Sequence, residues 1–414
     1  MTTSTPLSTT LSELSEQGAE PSPTSSAGRV QGALLMAGSC LPVMGAVLIA
    51  PVLQRMQDHF AGVPGAQALV PMALTAPALA VGLLAPFAGV IVDRLGRKRL
   101  LVVATVVYAL LGTAPLWLDS LPALVASRAL LGIAEAAIMT CCTTLIGDYY
   151  DGRAREKYLA LQTVCSALAA TAFFAIGGGL GSTGWRTPFV AYGISLLIAP
   201  LMALLLPAPT RPGAEAEEAE ADAATGAARP MPWRALAPTC LLTLFGAVVF
   251  YTVPVETAFL LKAVHVEDTA IVGLVSAVSS LATVGGAAFF SRRTELAAGL
   301  LPWQFVIAAT GFGIIAFAGN TPVLLIGSVI ACFGSGMLLP SLLTRAMNVL
   351  DFEDRGRGTG LWTGSFFLGS FLCPLLLLAV KALVGTLALA VGVLGLAAAV
   401  LGGLLLLRTP AEQS

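Results

Sequence analysis

Long apolar stretches alternate with short polar segments along almost the whole chain. Most of the stretches reach the roughly 20 residues that an α-helix needs to cross the hydrocarbon core of a bilayer. They show none of the alternation of apolar and polar positions that is typical of a transmembrane strand. The pattern therefore predicts twelve membrane helices in two groups of six. The predicted spans are residues 31–53, 66–91, 100–118, 121–147, 158–182, 187–206, 234–261, 269–290, 299–317, 321–347, 359–380 and 382–407.

Composition also favours a membrane protein. Hydrophobic residues make up 57% of the chain and charged residues 11%, whereas a soluble domain carries about 25% charged residues. A chain this poor in charge cannot cover itself with a solvated surface, and backbone groups in lipid must bond within their own helix. The predicted fold class is an all-α polytopic membrane protein of two six-helix halves, surrounded by the lipid bilayer.

The polar segments divide the chain into domains. Residues 1–30 are rich in Ser, Thr and Pro and lack the basic start and apolar core of a secretory signal, so we expect a disordered cytoplasmic tail. An acidic, Pro- and Ala-rich linker at 208–232 separates two predicted six-helix bundles at 31–207 and 233–408. Residues 409–414 form a second predicted cytoplasmic tail.

Basic residues predict the orientation in the membrane. If both termini lie on one side, 17 of the 22 Lys and Arg residues fall on that side, four fall on the other, and Arg128 lies within a helix. Because cytoplasmic loops carry an excess of Lys and Arg, both termini and the linker are expected in the cytoplasm. The expected location is the cytoplasmic (inner) membrane of a bacterium.

The loop after the second predicted helix carries a dense cluster of charge. Its residues are Gly89, Asp93, Arg94, Gly96, Arg97 and Lys98. This spacing resembles the signature loop between helices two and three of the major facilitator superfamily of membrane transporters. The resemblance implies a latch between helices two and eleven that closes on the cytoplasmic side when the transporter faces outward. Gly89 is expected to let helix two approach a neighbour closely. The alternative is a basic cluster that only sets topology, although topology does not require Asp93.

Three charged residues lie inside predicted helices and away from their ends, where burial of charge is costly. Arg128 and Glu135 are seven residues apart in helix four and share a face at about two turns' separation. The run Arg128, Gly132, Ala136 resembles the fourth-helix motif of proton-coupled antiporters in this superfamily. The resemblance implies that Arg128, Glu135 and Glu256 of helix seven couple proton movement to transport. The alternatives are, for helix four, a structural buried pair or capping of helix ends by Arg128 and, for Glu256, an interfacial charge.

Two further features concern the substrate. Helix five keeps the glycine run 177–179 of such antiporters, but Phe173 and Phe174 replace the preceding Gly-Pro, which leaves the direction of transport open. Aromatic and polar residues of several helices are expected to line an amphiphilic cavity, the alternative being that they face lipid or the core. These residues are Gln162, Tyr251, Met337, Trp362 and Phe366.

No motif of an enzyme or of a nucleic-acid-binding protein is present. The chain has no phosphate-binding loop, and its seven cysteines lie in apolar stretches away from its two histidines, so we expect no metal site and no cofactor. We predict a monomeric secondary active transporter resembling the drug/proton antiporter (multidrug or siderophore efflux) branch of the superfamily. It would export a small amphiphilic compound in exchange for protons by alternating access. Proton-coupled uptake of a metabolite and a non-transporting membrane sensor are the alternatives.

Overall fold

A computed structural model describes residues 28–207, 233–293, 297–350 and 354–408. Within these ranges, twelve helical spans are long and apolar enough to cross a membrane. This confirms the predicted fold class. The first span begins at Arg29, slightly earlier than predicted, while the rest of the predicted N-terminal tail, the linker 208–232 and the tail 409–414 lie outside the described residues.

The helices are numbered in chain order. They are α1 Arg29–Val47, α2 Leu53–His59, α3 Ala66–Leu84, α4 Ala88–Leu95, α5 Arg97–Thr113, α6 Leu121–Tyr149, α7 Gly152–Gly181, α8 Ser195–Leu205, α9 Trp233–Ala263, α10 Thr269–Ser291, α11 Ala297–Ala316, α12 Thr321–Asn348, α13 Arg355–Val384 and α14 Leu387–Arg408. Helix α7 begins six residues before its predicted start. The charged start of this helix is not apolar, so hydropathy alone places its beginning too late.

Proline divides the first two spans into two helices each. A 3₁₀ turn at Ala50–Val52 joins α1 to α2, and a second at Ala85–Phe87 joins α3 to α4. Each turn contains a proline, Pro51 or Pro86, which has no N–H to continue an α-helical ladder. Proline thus explains why single apolar spans contain more than one helix.

Each half of the protein has its own hydrophobic core. The buried cluster of the first half draws almost entirely on residues before the linker, and that of the second half on residues from Val248 to Ala398. The halves meet along two seams, one between α7 and α10 and one between α3 and α13. The architecture is therefore two six-helix bundles joined face to face.

Glycines allow the close approach at both seams. A Cβ added at Gly178 would lie 2.7 Å from the Cα of Gly273, and one added at Gly82 would lie 3.2 Å from the Gly364 carbonyl oxygen. Gly89, in contrast, faces open space. In this structure the close approach of this span lies two turns earlier, at Gly82, and the expected role of Gly89 stays a prediction.

The two ends of the bundle differ. We call the end where α5 and α7 begin the basic end, and the other the opposite end. At the opposite end the halves are bridged by an ion pair, in which Lys262 Nζ donates to Asp58 Oδ1 at 2.7 Å. Nearby, Gly181 of α7 packs against Thr269 of α10. The opposite end is closed by these contacts.

Candidate substrate and proton site

A cavity of about 570 Å³ lies between the two halves. Its wall is built from α1, α3, α6 and α7 of the first half and α9, α10, α12 and α13 of the second. Thr143 and Thr163 belong to the wall and are solvent-exposed, and both lie toward the basic end. Because the opposite end is closed, the cavity opens toward the basic end.

The wall is mostly apolar and aromatic, with hydroxyl groups at intervals. The aromatic side chains on it are Phe174, Phe250, Tyr251, Phe366 and Phe367. Serine and threonine recur on α10 at helical spacing, at positions 276, 279, 280 and 283, a stripe that sequence reasoning missed although its spacing is visible. Among the described residues of the wall, Glu135 is the one charged side chain, and no Lys, Arg or His is present.

The structure brings only part of the predicted cavity set together. Gln162, Tyr251 and Phe366 lie on the wall, and Gln162 is fixed there because its Nε2 donates to Ser39 Oγ at 2.8 Å. Whether these side chains bind a substrate stays a prediction. Met337 and Trp362 do not lie on the described wall in this structure.

The packing around Met337 and Trp362 shows why neither side chain lines the cavity. Met337 is buried where α12 packs against α10, beside Gly286. Trp362 is buried one turn before Phe366 and stacks on it, with ring centroids 6.1 Å apart. It supports a wall residue from behind instead of facing the cavity.

Arg128 is fully buried at 0% exposure and is bound by backbone groups. Its Nη2 donates to the Gly45 carbonyl at 2.8 Å and its Nε to the Ala73 carbonyl at 3.2 Å. The guanidinium carbon also lies 5.1 Å from the ring centroid of Tyr192, a distance suited to a cation–π interaction. These contacts join α6 to α1, α3 and the 3₁₀ segment Thr187–Ile194.

Glu135 lies on the cavity wall at 4% exposure. Its Oε1 has no hydrogen-bond partner among the described residues. Space for the carboxylate exists because residue 45 is glycine: a Cβ added there would overlap Oε1. Glu135 and Arg128 are both described and no ion pair joins them, although the charge of Arg128 acts on the carboxylate. Both side chains are therefore buried without a direct ion pair between them, and the alternatives of a structural buried pair and of capping by Arg128 stay open.

Glu256 does not reach the cavity. It is 4% exposed on α9, and the nearby residues on the wall are Val253, Pro254 and Thr257. Glu256 instead lies within electrostatic range of Lys381 of α13. A helix turns about 100° per residue, so a residue next to Thr257 can face the interior of the half. In this structure Glu256 is buried and lies off the described cavity wall, and its part in proton coupling stays a prediction.

The charged loop is tied to α6 at its described end. Arg97 forms an ion pair with Asp148 at the end of α6, which ties α5 to α6. Gly96 between α4 and α5 has a φ of +83°, a conformation that favours glycine. Arg94 is exposed and Lys98 half-buried, while the Asp93 side chain lies outside the described part. The latch therefore stays a prediction.

Comparison with known proteins agrees with this architecture. The model of the Major Facilitator Superfamily matches residues 35–302. A tetracycline resistance protein, class C, from Escherichia coli is 26% identical over 83% of this chain and 87% of its own length. A gallate transporter from Pseudomonas putida is 34% identical, but the match spans 43% of this chain and only 38% of that protein.

The fold of a solved structure is also similar. The crystal structure of a D-xylose-proton symporter superimposes with a TM-score of 0.75 over 90% of this chain and 97% of that chain, at 15% identity. Twelve membrane-spanning helices, a cavity between two halves and the match to the family model lead to one conclusion. The chain belongs to the Major Facilitator Superfamily and is a multi-pass membrane transporter.

Proposed function

We propose that the protein exports a small amphiphilic compound in exchange for protons, with Glu135 as the group that carries the proton. The observation that carries this proposal is the position of Glu135. It is the one charged side chain on the described cavity wall, and its Oε1, which packs against Gly45, has no hydrogen-bond partner among the described residues. A carboxyl group at this position can hold a proton in one state of the transport cycle and release it in another.

The chemistry of the wall favours a neutral or cationic substrate. Five aromatic side chains offer stacking and cation–π surfaces, and Glu135 offers a negative charge. A substrate with a carboxylate, such as the cargo named for the gallate transporter, requires a positive group or several donors in a dehydrated site. The described wall contains no Lys, Arg or His, and Arg128 is buried behind it.

The direction of transport is inferred from the two ends of the bundle. The cavity is open at the basic end, and the excess of Lys and Arg assigns this end to the cytoplasm. A cavity open to the cytoplasm can load a compound for export. The tetracycline resistance protein matches over most of its length, which favours export over uptake. We further propose that the protein works as a monomer in the inner membrane, with both termini in the cytoplasm.

Purified protein in liposomes tests this proposal. An internal pH-sensitive dye should report proton movement when a lipophilic cation is added to vesicles with an imposed proton gradient. Gallate, tested in parallel, should cause no such movement. Proton flux with gallate but not with the cation would refute the proposed substrate class. The absence of proton flux with the cation, with gallate and with every other amphiphile tested would refute proton coupling.

A further inference from the structure

The two carbonyl groups that bind Arg128 lack their usual backbone donor, one because of a proline inside α3 and the other because it lies at the end of α1. In α3, the residue four positions after Ala73 is Pro77, which has no N–H to donate to the Ala73 carbonyl. Arg128 Nε occupies this free acceptor at 3.2 Å. The side chain of α6 thus replaces a backbone donor that proline has removed from α3.

The second acceptor lies at the end of α1. The last hydrogen bond of this helix runs from the Leu48 N–H to the Met44 carbonyl at 3.0 Å, and a 3₁₀ turn with Pro51 follows. The next carbonyl, that of Gly45, accepts from Arg128 Nη2 at 2.8 Å. Carbonyl groups at a helix end carry partial negative charge, so they stabilise a buried guanidinium.

Close packing holds Pro77 of α3 against α6, next to Arg128. Gly132 lies one turn after Arg128 on α6, and a Cβ added at Gly132 would lie 2.7 Å from the Pro77 Cα. The two helices therefore touch at Pro77 without an intervening side chain. This contact holds the Ala73 carbonyl within reach of the guanidinium.

The consequence concerns Glu135. A guanidinium normally pairs with a nearby carboxylate, but here two of its nitrogen atoms donate to backbone carbonyls. Glu135 Oε1 lacks a hydrogen-bond partner among the described residues. We propose that Pro77 is a positioning residue for the proton site: it keeps Arg128 on backbone carbonyls and so leaves Glu135, on the cavity wall, without an ion-pair partner. This inference rests on the proposed role of Glu135 as the proton carrier.

Substitution of Pro77 restores the missing donor. In Pro77→Ala the residue gains an N–H that can bond the Ala73 carbonyl, so Arg128 Nε loses its acceptor and the guanidinium is free to turn to Glu135. Pro77→Gly restores the same N–H but preserves a flexible backbone, which separates the effect of the donor from that of a bend. Pro71→Ala is the matched control, because Pro71 lies in the same helix and the carbonyl four residues before it, that of Gln67, does not bind Arg128.

Two measurements on the full-length protein decide the question. The first is modification of Glu135 by dicyclohexylcarbodiimide, which reacts with protonated carboxyl groups in apolar surroundings, quantified by mass spectrometry. A hydrogen bond from Arg128 would stabilise the ionised form of Glu135. We therefore expect the extent of modification to decrease roughly tenfold in Pro77→Ala and Pro77→Gly and to stay the same in Pro71→Ala. The second is substrate-driven proton flux in liposomes, which should fall in the same two variants.

The outcomes separate this inference from the proposed function. If Glu135 is modified to the same extent in both Pro77 variants as in the wild-type protein, the positioning role is overturned. A decrease in Pro77→Ala but not in Pro77→Gly would also overturn it, because the bend and not the missing N–H would then matter. If the wild-type protein shows no proton flux with any amphiphile, the proposed function fails, while the comparison of Glu135 modification still tests the role of Pro77.

Discussion

Replacing Glu135 with glutamine tests the central assignment most directly. Glutamine preserves the size and shape of the side chain but cannot bind and release a proton. The site is 4% exposed and one carboxylate oxygen has no partner. A charge at bilayer depth costs at least about 2.5 kcal/mol, which corresponds to roughly a 70-fold change in an equilibrium constant. Glu135→Gln removes this cost but also removes the negative charge that acts on the buried Arg128, so we expect the free energy of unfolding to change little.

Proton-coupled transport, in contrast, should be lost. We expect Glu135→Gln to abolish substrate-driven proton flux in liposomes while some substrate binding or exchange remains, because the rest of the wall is unchanged. The matched control is Glu267→Gln, which makes the same chemical change at an exposed position in the loop before α10. Full coupled proton flux in Glu135→Gln would mean that Glu135 is structural. Loss of flux together with a lower melting temperature would point to misfolding instead of lost coupling.

Three further predictions concern the gates and the topology. Neutralising Asp58 or Lys262 should increase the reactivity of a cavity cysteine from the opposite end by no more than about fivefold, since an exposed ion pair is worth up to about 1 kcal/mol. In the variant in which the two charges are exchanged, the reactivity of the cysteine should return toward the wild-type value. If it stays as high as in either single variant, the ion pair does not close the opposite end. Asp93→Asn should insert normally but transport more slowly, whereas unchanged transport at normal expression would make the loop a topology signal only. A cysteine at Glu218, in a cysteine-free background, should be protected from impermeant reagents in whole cells, and labelling from outside would contradict the proposed orientation.

The class of the protein and the number of its membrane helices could be predicted from the sequence. In lipid each helix satisfies its own backbone hydrogen bonds, so hydropathy identifies it one segment at a time. The charged residues within helices could also be identified, because charge is rare at bilayer depth. Arg128, Glu135 and Glu256 are visible in the sequence for this reason, and all three are buried in the structure.

Which way these side chains face was decided by the tertiary structure alone. Lipid and the protein interior are both apolar, so the sequence of an apolar helix gives little indication of which face packs against the other half. Glu135 and Glu256 look alike in the sequence, yet only Glu135 lies on the cavity wall. The partners of Arg128 were equally hidden, because they are backbone carbonyls of Gly45 and Ala73 from other helices, and sequence separation does not reveal such contacts. The sequence by itself thus determined the elements and their charges, and the rotation and packing of the helices determined which charges can act together.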